Sequence, residues 1–228
     1  ITRAEMDRYS LASQQKAVAA SDSGKFDAEI VAVTTVDRKG APQPLTRDES
    51  PRRETSRESL ERLPSVFRVD GRITAGNAPG LNDAASALVV ASAAYAQTIG
   101  AQPLARIVGY GQAAVEPKRL FDAPARAIPR ILDRVGWTLA DVDLLEVNEA
   151  FAAQMLANGR ALAGAGWDWD KVNVHGGAIA LGHPLGATGA RILTTLLYAL
   201  KDRSLSRGIA CLCLGGGEAV GVAVEMTE

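Results

Sequence analysis

Aromatic side chains make up only 5% of this 228-residue chain, so its core cannot be filled by rings. Alanine, glycine and valine carry the apolar content instead, which calls for backbones packed closely together. A hydrophobic fraction of 47% nevertheless excludes general disorder. Charge of one sign is also lacking. The 25 basic and 26 acidic residues nearly cancel, so neither nucleic acid nor an anionic membrane surface is an expected partner. No apolar run reaches the roughly 18 residues that a membrane span needs. The only cysteines, Cys211 and Cys213, stand one residue apart, which disulfide geometry does not favour within a strand. Reduced thiols in a reducing compartment, the cytoplasm, are expected. No charged-then-apolar leader opens the sequence, although a trimmed start would hide one. No metal site is expected.

What is present is concentrated near the C-terminal end. The stretch from Asn173 through His175, Gly176, Gly177, Gly182, His183, Pro184 and Gly186 to Arg191 sets both histidines of the chain among glycines. Glycine lets a backbone approach another backbone or a ligand without a Cβ in the way. Histidine is the side chain whose ordinary pKa suits proton transfer near neutrality. A glycine-rich connection whose histidine merely caps a helix would look the same locally. Two further segments change the weighing. Cys211-Leu212-Cys213-Leu214 runs into Gly215-Gly216-Gly217, and Val147-Asn148-Glu149-Ala150-Phe151 follows the strand-like Leu144 to Val147.

The rest of the chain gives an alternation of elements. Thr2 with Glu5 reads as a capping box that opens a helix to about Ser21. A strand is predicted over 31–36, then a polar, charge-rich excursion over 37–66 with one short helix near 58–62. Asn82 reads as the cap of a helix over 83–97 that is apolar almost all round, which belongs inside a larger body. Strands are predicted over 106–115, 143–147, 172–174, 208–214 and 219–225. Helices are predicted over 123–136, with Pro129 kinking it, 150–162 and 187–201. Thr138 caps a turn to Asp141. Strands alternating with helices and ending in a hairpin indicate an α/β fold, a mixed sheet with helices on both faces. All three glycine or acidic segments then fall in loops at strand ends, where such sheets commonly carry their sites.

In that order, the Asn148-Glu149-Ala150-Phe151, Gly182-His183-Pro184 and Cys213-Leu214-Gly215-Gly216-Gly217 segments resemble the active-site loops of the thiolase family. Thr74-Ala75-Gly76-Asn77-Ala78, continuing to Asn82-Asp83, resembles the thiolase segment beside coenzyme A. The resemblance runs along the whole chain. It implies a thiolase-like mixed sheet, with residues 1–79 the latter part of the loop domain, 80–102 a helix belonging to the N-terminal domain and 103–228 the C-terminal domain. It also implies a chain lacking the acyl-carrying nucleophilic cysteine and complete only with an N-terminal half, in the same or a separate chain.

The implied activity is acyl-CoA C-acyl transfer in fatty acid metabolism, the reversible Claisen condensation and thiolysis of 3-ketoacyl-CoA through an acyl-cysteine. By that resemblance His183 activates the nucleophile and donates to a thioester oxygen, and Cys213 is the acid/base thiol. Asn148 holds an ordered water, and Gly215 offers a backbone N–H to the second oxyanion hole. Cys211 is a buried small hydrophobe and His175 a structural residue. Glu149 has no assigned chemistry beyond tying its loop down. Arg52, Ser59, Ala75, Gly76 and Ala78 are the implied contacts to coenzyme A, which arrives as substrate and is not permanently bound. Pro79 departs from the family, where many members carry serine. A homodimer or homotetramer is implied. The alternatives are a non-catalytic thiolase-like subunit and another condensing enzyme of the same superfamily.

Overall fold

The computed structural model describes residues 1–227. Helix α1 (Arg3–Asp22) opens on the expected capping box: the Thr2 hydroxyl accepts from the Glu5 N–H, and the Thr2 N–H donates to the Glu5 carboxylate at 2.7 Å. The buried face of α1 is largely polar, carrying Asp7, Ser10, Ser13 and Gln14 beside Met6 and Ala17. A helix that turns donors and acceptors inward must find partners for them, and here they meet the loops of the site.

Strands β1 (Val33–Val36) and β2 (Pro42–Leu45) pair as an exposed antiparallel hairpin. The second strand is not predicted from the sequence, because Pro-Gln-Pro-Leu carries no β signal and a proline pairs comfortably only at an edge. Short helix α2 (Arg57–Glu61) follows, capped by Ser56.

The helix expected over 83–97 is not formed. Asn82 caps nothing, residues 82–92 have no regular structure, and only α3 (Ala93–Thr98) is helical, with Ser92 as its cap. The reason is exposure. Leu81, Val89 and Val90 are 95%, 99% and 74% exposed, so an apolar helix here would bury nothing. Helices in water are held mainly by packing of a face rather than by propensity. Leu88 alone reaches the core, packing against the cluster around Leu196 and Leu200.

The remaining elements build one sheet: β3 (Ala105–Ala114), α4 (Pro124–Val135), β4 (Leu144–Val147), α5 (Ala152–Leu162), α6 (Ala178–Leu181), α7 (Thr188–Asp202), β5 (Arg207–Leu214) and β6 (Glu218–Met226). The strand order is β3-β6-β5-β4, with β4 and β5 parallel and the other pairs antiparallel. Helix α4 runs unbroken through Pro129 to the left-handed Gly136. The segment expected as a strand at 172–174 makes only isolated bridges, Leu145 with Val172 and Val174 with Gly176.

Alternation along β5 sorts the core. Ile209 and Cys211 join Ile128, Ile131, Val147 and Met155 on one face, where α4 and α5 lie. Ala210 joins Ile192, Leu196 and Leu200 of α7 on the other. The sheet is therefore covered on both faces, the α/β arrangement expected. Because β4 and β5 are parallel, both end at the same edge, and the loops that leave them meet there.

Candidate active site

Asn148 is the first residue beyond β4, and its N–H donates to the Cys211 carbonyl at 3.0 Å, carrying the parallel pairing one step further. That bond fixes the asparagine at the sheet edge from which Cys213 also emerges. The side chain is buried, its Nδ2 lies 3.3 Å from Nε2 of His183, and its Oδ1 has no partner.

His183 reaches this point through a tight passage. Gly177 precedes α6, and Gly182 follows it at φ +95°, a conformation that L side chains rarely adopt. A Cβ on Gly182 would come within 2.2 Å of Asn82 Oδ1. The His183 N–H donates to the Gly80 carbonyl at 3.3 Å, so the segment around Asn82 and the glycine loop lie against each other.

The ring is oriented at both nitrogens. Nδ1 lies 2.8 Å from the Thr188 hydroxyl, and that hydroxyl donates its only proton to the Pro184 carbonyl at 2.9 Å. Thr188 therefore accepts from Nδ1–H, which leaves the lone pair on Nε2, facing the Asn148 amide. Burial, and after it the charge of Arg191, lowers the imidazole pKa, so the ring is neutral at pH 7 and its Nε2 is a base.

Cys213 is partly buried. Burial raises its thiol pKa, opposed by a backbone hydrogen bond, so it stands as a thiol near neutrality, able to donate a proton and take it back. Cys211 is fully buried and its thiol is pushed up to about 12, chiefly by desolvation, which suits a small hydrophobe. Gly215 is exposed in the three-residue turn between β5 and β6. His175 is buried edge-on to Phe26, with burial depressing its pKa to about 4.

At one sheet edge, then, stand a neutral imidazole with a directed lone pair, an amide with a free acceptor, and a thiol. A family model described as the thiolase C-terminal domain matches residues 101–226, and one described as the thiolase N-terminal domain matches residues 1–94. The chain belongs to the thiolase family. The acetyl-CoA acetyltransferases of Pseudomonas aeruginosa and Cupriavidus necator are each 50% identical to it, over 96% and 99% of this chain but 55% and 56% of theirs. The crystal structure of the Bacillus anthracis acetyl-CoA acetyltransferase superposes with a TM-score of 0.94 at 48% identity, covering 100% of this chain and 57% of that one. Human mitochondrial 3-ketoacyl-CoA thiolase in complex with CoA gives 0.88 at 39%, covering 100% and 56%. The chain spans about half the length of these thiolases.

Of the residues suggested for coenzyme A, Arg52 and Ser59 lie on the α1 and α2 side, while Ala78 is two residues from Gly80, whose carbonyl receives the His183 N–H. Arg52 is exposed, and its backbone N–H donates to Gln14 at 2.7 Å. The Ser59 hydroxyl is engaged within the α2 cap, accepting from the Ser56 N–H and donating to the Ser56 carbonyl. Ala75 is exposed and Ala78 half-buried, while Gly76 is buried where a Cβ would meet Leu60 and Leu63. Asn77 pins this segment, donating to Asp7 of α1 and accepting the Ala152 N–H of α5 at its carbonyl.

Several residues that frame the site are given no role by the sequence reading. Thr188 follows the histidine by five positions and reads only as a helix start. Asn82 reads as a cap. Tyr9, Ser13 and Asn173 converge on Glu149 from distant parts of the chain, and only the last lies inside one of the motifs. Among the described residues no group of three His, Cys, Asp or Glu is arranged to hold a metal, and no helix is long and apolar enough to cross a membrane.

Proposed function

We propose that this chain carries the base, the proton-shuttling thiol and the oxyanion donors of an acyl-CoA C-acyltransferase acting in fatty acid metabolism. The observation that carries the reading is the Asn148–His183–Thr188 chain of contacts at the edge where Cys213 emerges, in a member of the thiolase family. His183 Nε2 takes the proton of an acyl-accepting thiol. Once protonated there, the same nitrogen donates to the thioester oxygen of a second acyl-CoA. The free Oδ1 of Asn148 suits a bound water beside it. The Cys213 thiol gives its proton to the departing coenzyme A sulfur, the thiolate so formed removes the α-proton of the second acyl-CoA, and the Gly215 N–H supports the developing oxyanion. Donors fixed where charge develops usually contribute most to such a reaction.

Neither Cys211 nor Cys213 serves as the acyl carrier in this scheme, so a further segment supplies it. By the same reading 1–79 is the latter part of the loop domain, 80–102 belongs with the N-terminal domain, and 103–228 is the C-terminal domain. Coenzyme A lies near Arg52, Ser59, Ala75, Gly76 and Ala78. The protein is cytoplasmic, which the two free thiols support, and homodimeric or homotetrameric.

The test is acetoacetyl-CoA thiolysis by the whole thiolase carrying this sequence. His183→Ala should lower turnover about a hundredfold or more, the order lost when one oxyanion donor is removed. His175→Ala should cost far less. Equal losses at the two histidines would overturn the assignment, and a whole protein without activity would favour a non-catalytic subunit.

A further inference from the structure

Glu149 is 1% exposed and no cation lies within hydrogen-bonding distance of it, yet its carboxylate is fully engaged. Oε1 accepts from the Tyr9 hydroxyl at 2.8 Å and from Asn173 Nδ2 at 3.1 Å. Oε2 accepts from the Ser13 hydroxyl at 2.8 Å and from the Ile179 N–H at 3.0 Å. Ser13 in turn accepts from the Gly177 N–H at 3.1 Å, and Asn173 spans the Val147 N–H and carbonyl, both at 2.9 Å. Four donors from three parts of the chain meet one group that only accepts.

Where these bonds lead matters more than their number. Glu149 is the neighbour of Asn148. Its Oε2 holds the first turn of α6, the four-residue helix that delivers Gly182 and His183. Both sides of the Asn148–His183 contact are thus anchored on one carboxylate, and α1 closes the clamp through Tyr9 and Ser13. The glycine loop is fitted to it as well, since a Cβ on Gly177 would lie 2.3 Å from the Glu149 carboxyl carbon.

We propose that Glu149 is a positioning residue which sets the Asn148–His183 contact, holding the Nε2 lone pair that Thr188 leaves free against the Asn148 amide, with α1 as its brace. The proposal rests on the reading of His183 as the base. A carboxylate is required rather than an amide. In Glu149→Gln either orientation of the amide turns its NH₂ toward the Ile179 N–H or toward the Asn173 NH₂, and one buried donor is left facing another. An unsatisfied buried donor costs more than a typical hydrogen bond contributes.

The chain has only two histidines, so imidazole ¹⁵N signals of the 228-residue protein report His183 with His175 as internal control. Wild type should show His183 protonated at Nδ1, with its titration below the ordinary imidazole range. Glu149→Gln should free Nε2 from the Asn148 amide, shifting its ¹⁵N resonance while Nδ1 stays protonated, and move the His183 midpoint up by about half a unit or more toward its ordinary value. Tyr9→Phe removes one donor without creating a clash, and should move both readouts the same way by less. His175 should be unmoved in both. A folded Glu149→Gln protein with wild-type His183 Nε2 resonance and midpoint overturns the proposal. If that variant does not fold, an unmoved His183 in Tyr9→Phe overturns it equally. Because the readout is the imidazole and not turnover, an inactive whole protein with these shifts would sink the functional reading alone.

Discussion

His175 and His183 lie eight residues apart in one glycine-rich stretch, and burial depresses both, but only one is oriented by partners at both nitrogens. His175 Nε2 has no partner, and its ring packs on Phe26. Its pKa of about 4 against an ordinary 6.5 makes it a liability in acid. The unfolded chain takes up a proton below pH 6.5 that the folded chain refuses until about pH 4, so stability falls as pH drops through that window. The full cost is about 3 kcal/mol by linkage. Glu146 works the other way. Burial raises its carboxyl to about 8, with Arg191 at 3.8 Å opposing, and Glu29 is raised to about 7 for the same reason. Their protonated forms stabilise the fold fully below pH 4.5, and that contribution is lost as pH rises through 7 to 8. Thermal melts from pH 4 to 8 should show His175→Asn flattening the acid limb and Glu146→Gln flattening the alkaline one. Unchanged limbs would mean that these groups are not buried in solution.

The cysteine pair separates at the same scale. In the whole thiolase, Cys213→Ser should abolish deuterium wash-in to acetyl-CoA, a loss of about 10² to 10⁴ in rate, because a serine hydroxyl is too weak an acid to shuttle the α-proton. Cys211→Ser should leave exchange nearly intact and cost stability from an unpaired hydroxyl in a fully buried site. Reversed effects would mean that the register at the end of β5 has been misread.

Elements differ in how far they can be read from sequence, for physical reasons. Helix α1 is legible through its cap alone, since its buried face is polar and gives no apolar stripe. Strands β3, β5 and β6 are legible as short apolar runs bounded by turn signals, although only β6 alternates in burial. Helix α6 is not, because four residues cannot show a period and the Glu149 carboxylate that receives its Ile179 N–H lies thirty residues away. The motifs name His183, Asn148 and Cys213, but the brace behind them comes from Tyr9 and Ser13, far away in sequence. Gly177 joins these levels. Its backbone is extended at φ -138°, so its requirement is space and not conformation. Gly177→Ala should destabilise the chain by about 2 kcal/mol by overpacking against Glu149. Chemical denaturation should show a shifted midpoint at unchanged slope, whereas a neutral substitution would mean that α6 yields freely.

At the scale of the whole chain, the sheet is covered except along its edge strand β3, where Ile107 and Tyr110 are exposed, and the segment between residues 81 and 99 is not covered. Leu81, Val89, Val90, Tyr95 and Ile99 are all exposed, and the β1–β2 hairpin adds Val33, Val36 and Leu45. This much apolar surface is uncommon on a soluble monomer. The apolar composition of 83–97 predicts a buried helix, and the structure does not form one. Composition reports what a segment needs, and whether a helix forms depends on a surface to pack against. The consequence is testable in the isolated 228-residue chain. Amides of residues 83–91, which make no backbone hydrogen bonds, should exchange with deuterium unprotected, while those of β5 and β6 exchange last. The chain should also associate with rising concentration in sedimentation, and Val89→Asp should weaken that association without changing the melting temperature, since Val89 touches almost nothing. Protected amides across 83–91 in a concentration-independent monomer would show that the helix forms without a partner surface, and that exposure is not what decides its fate.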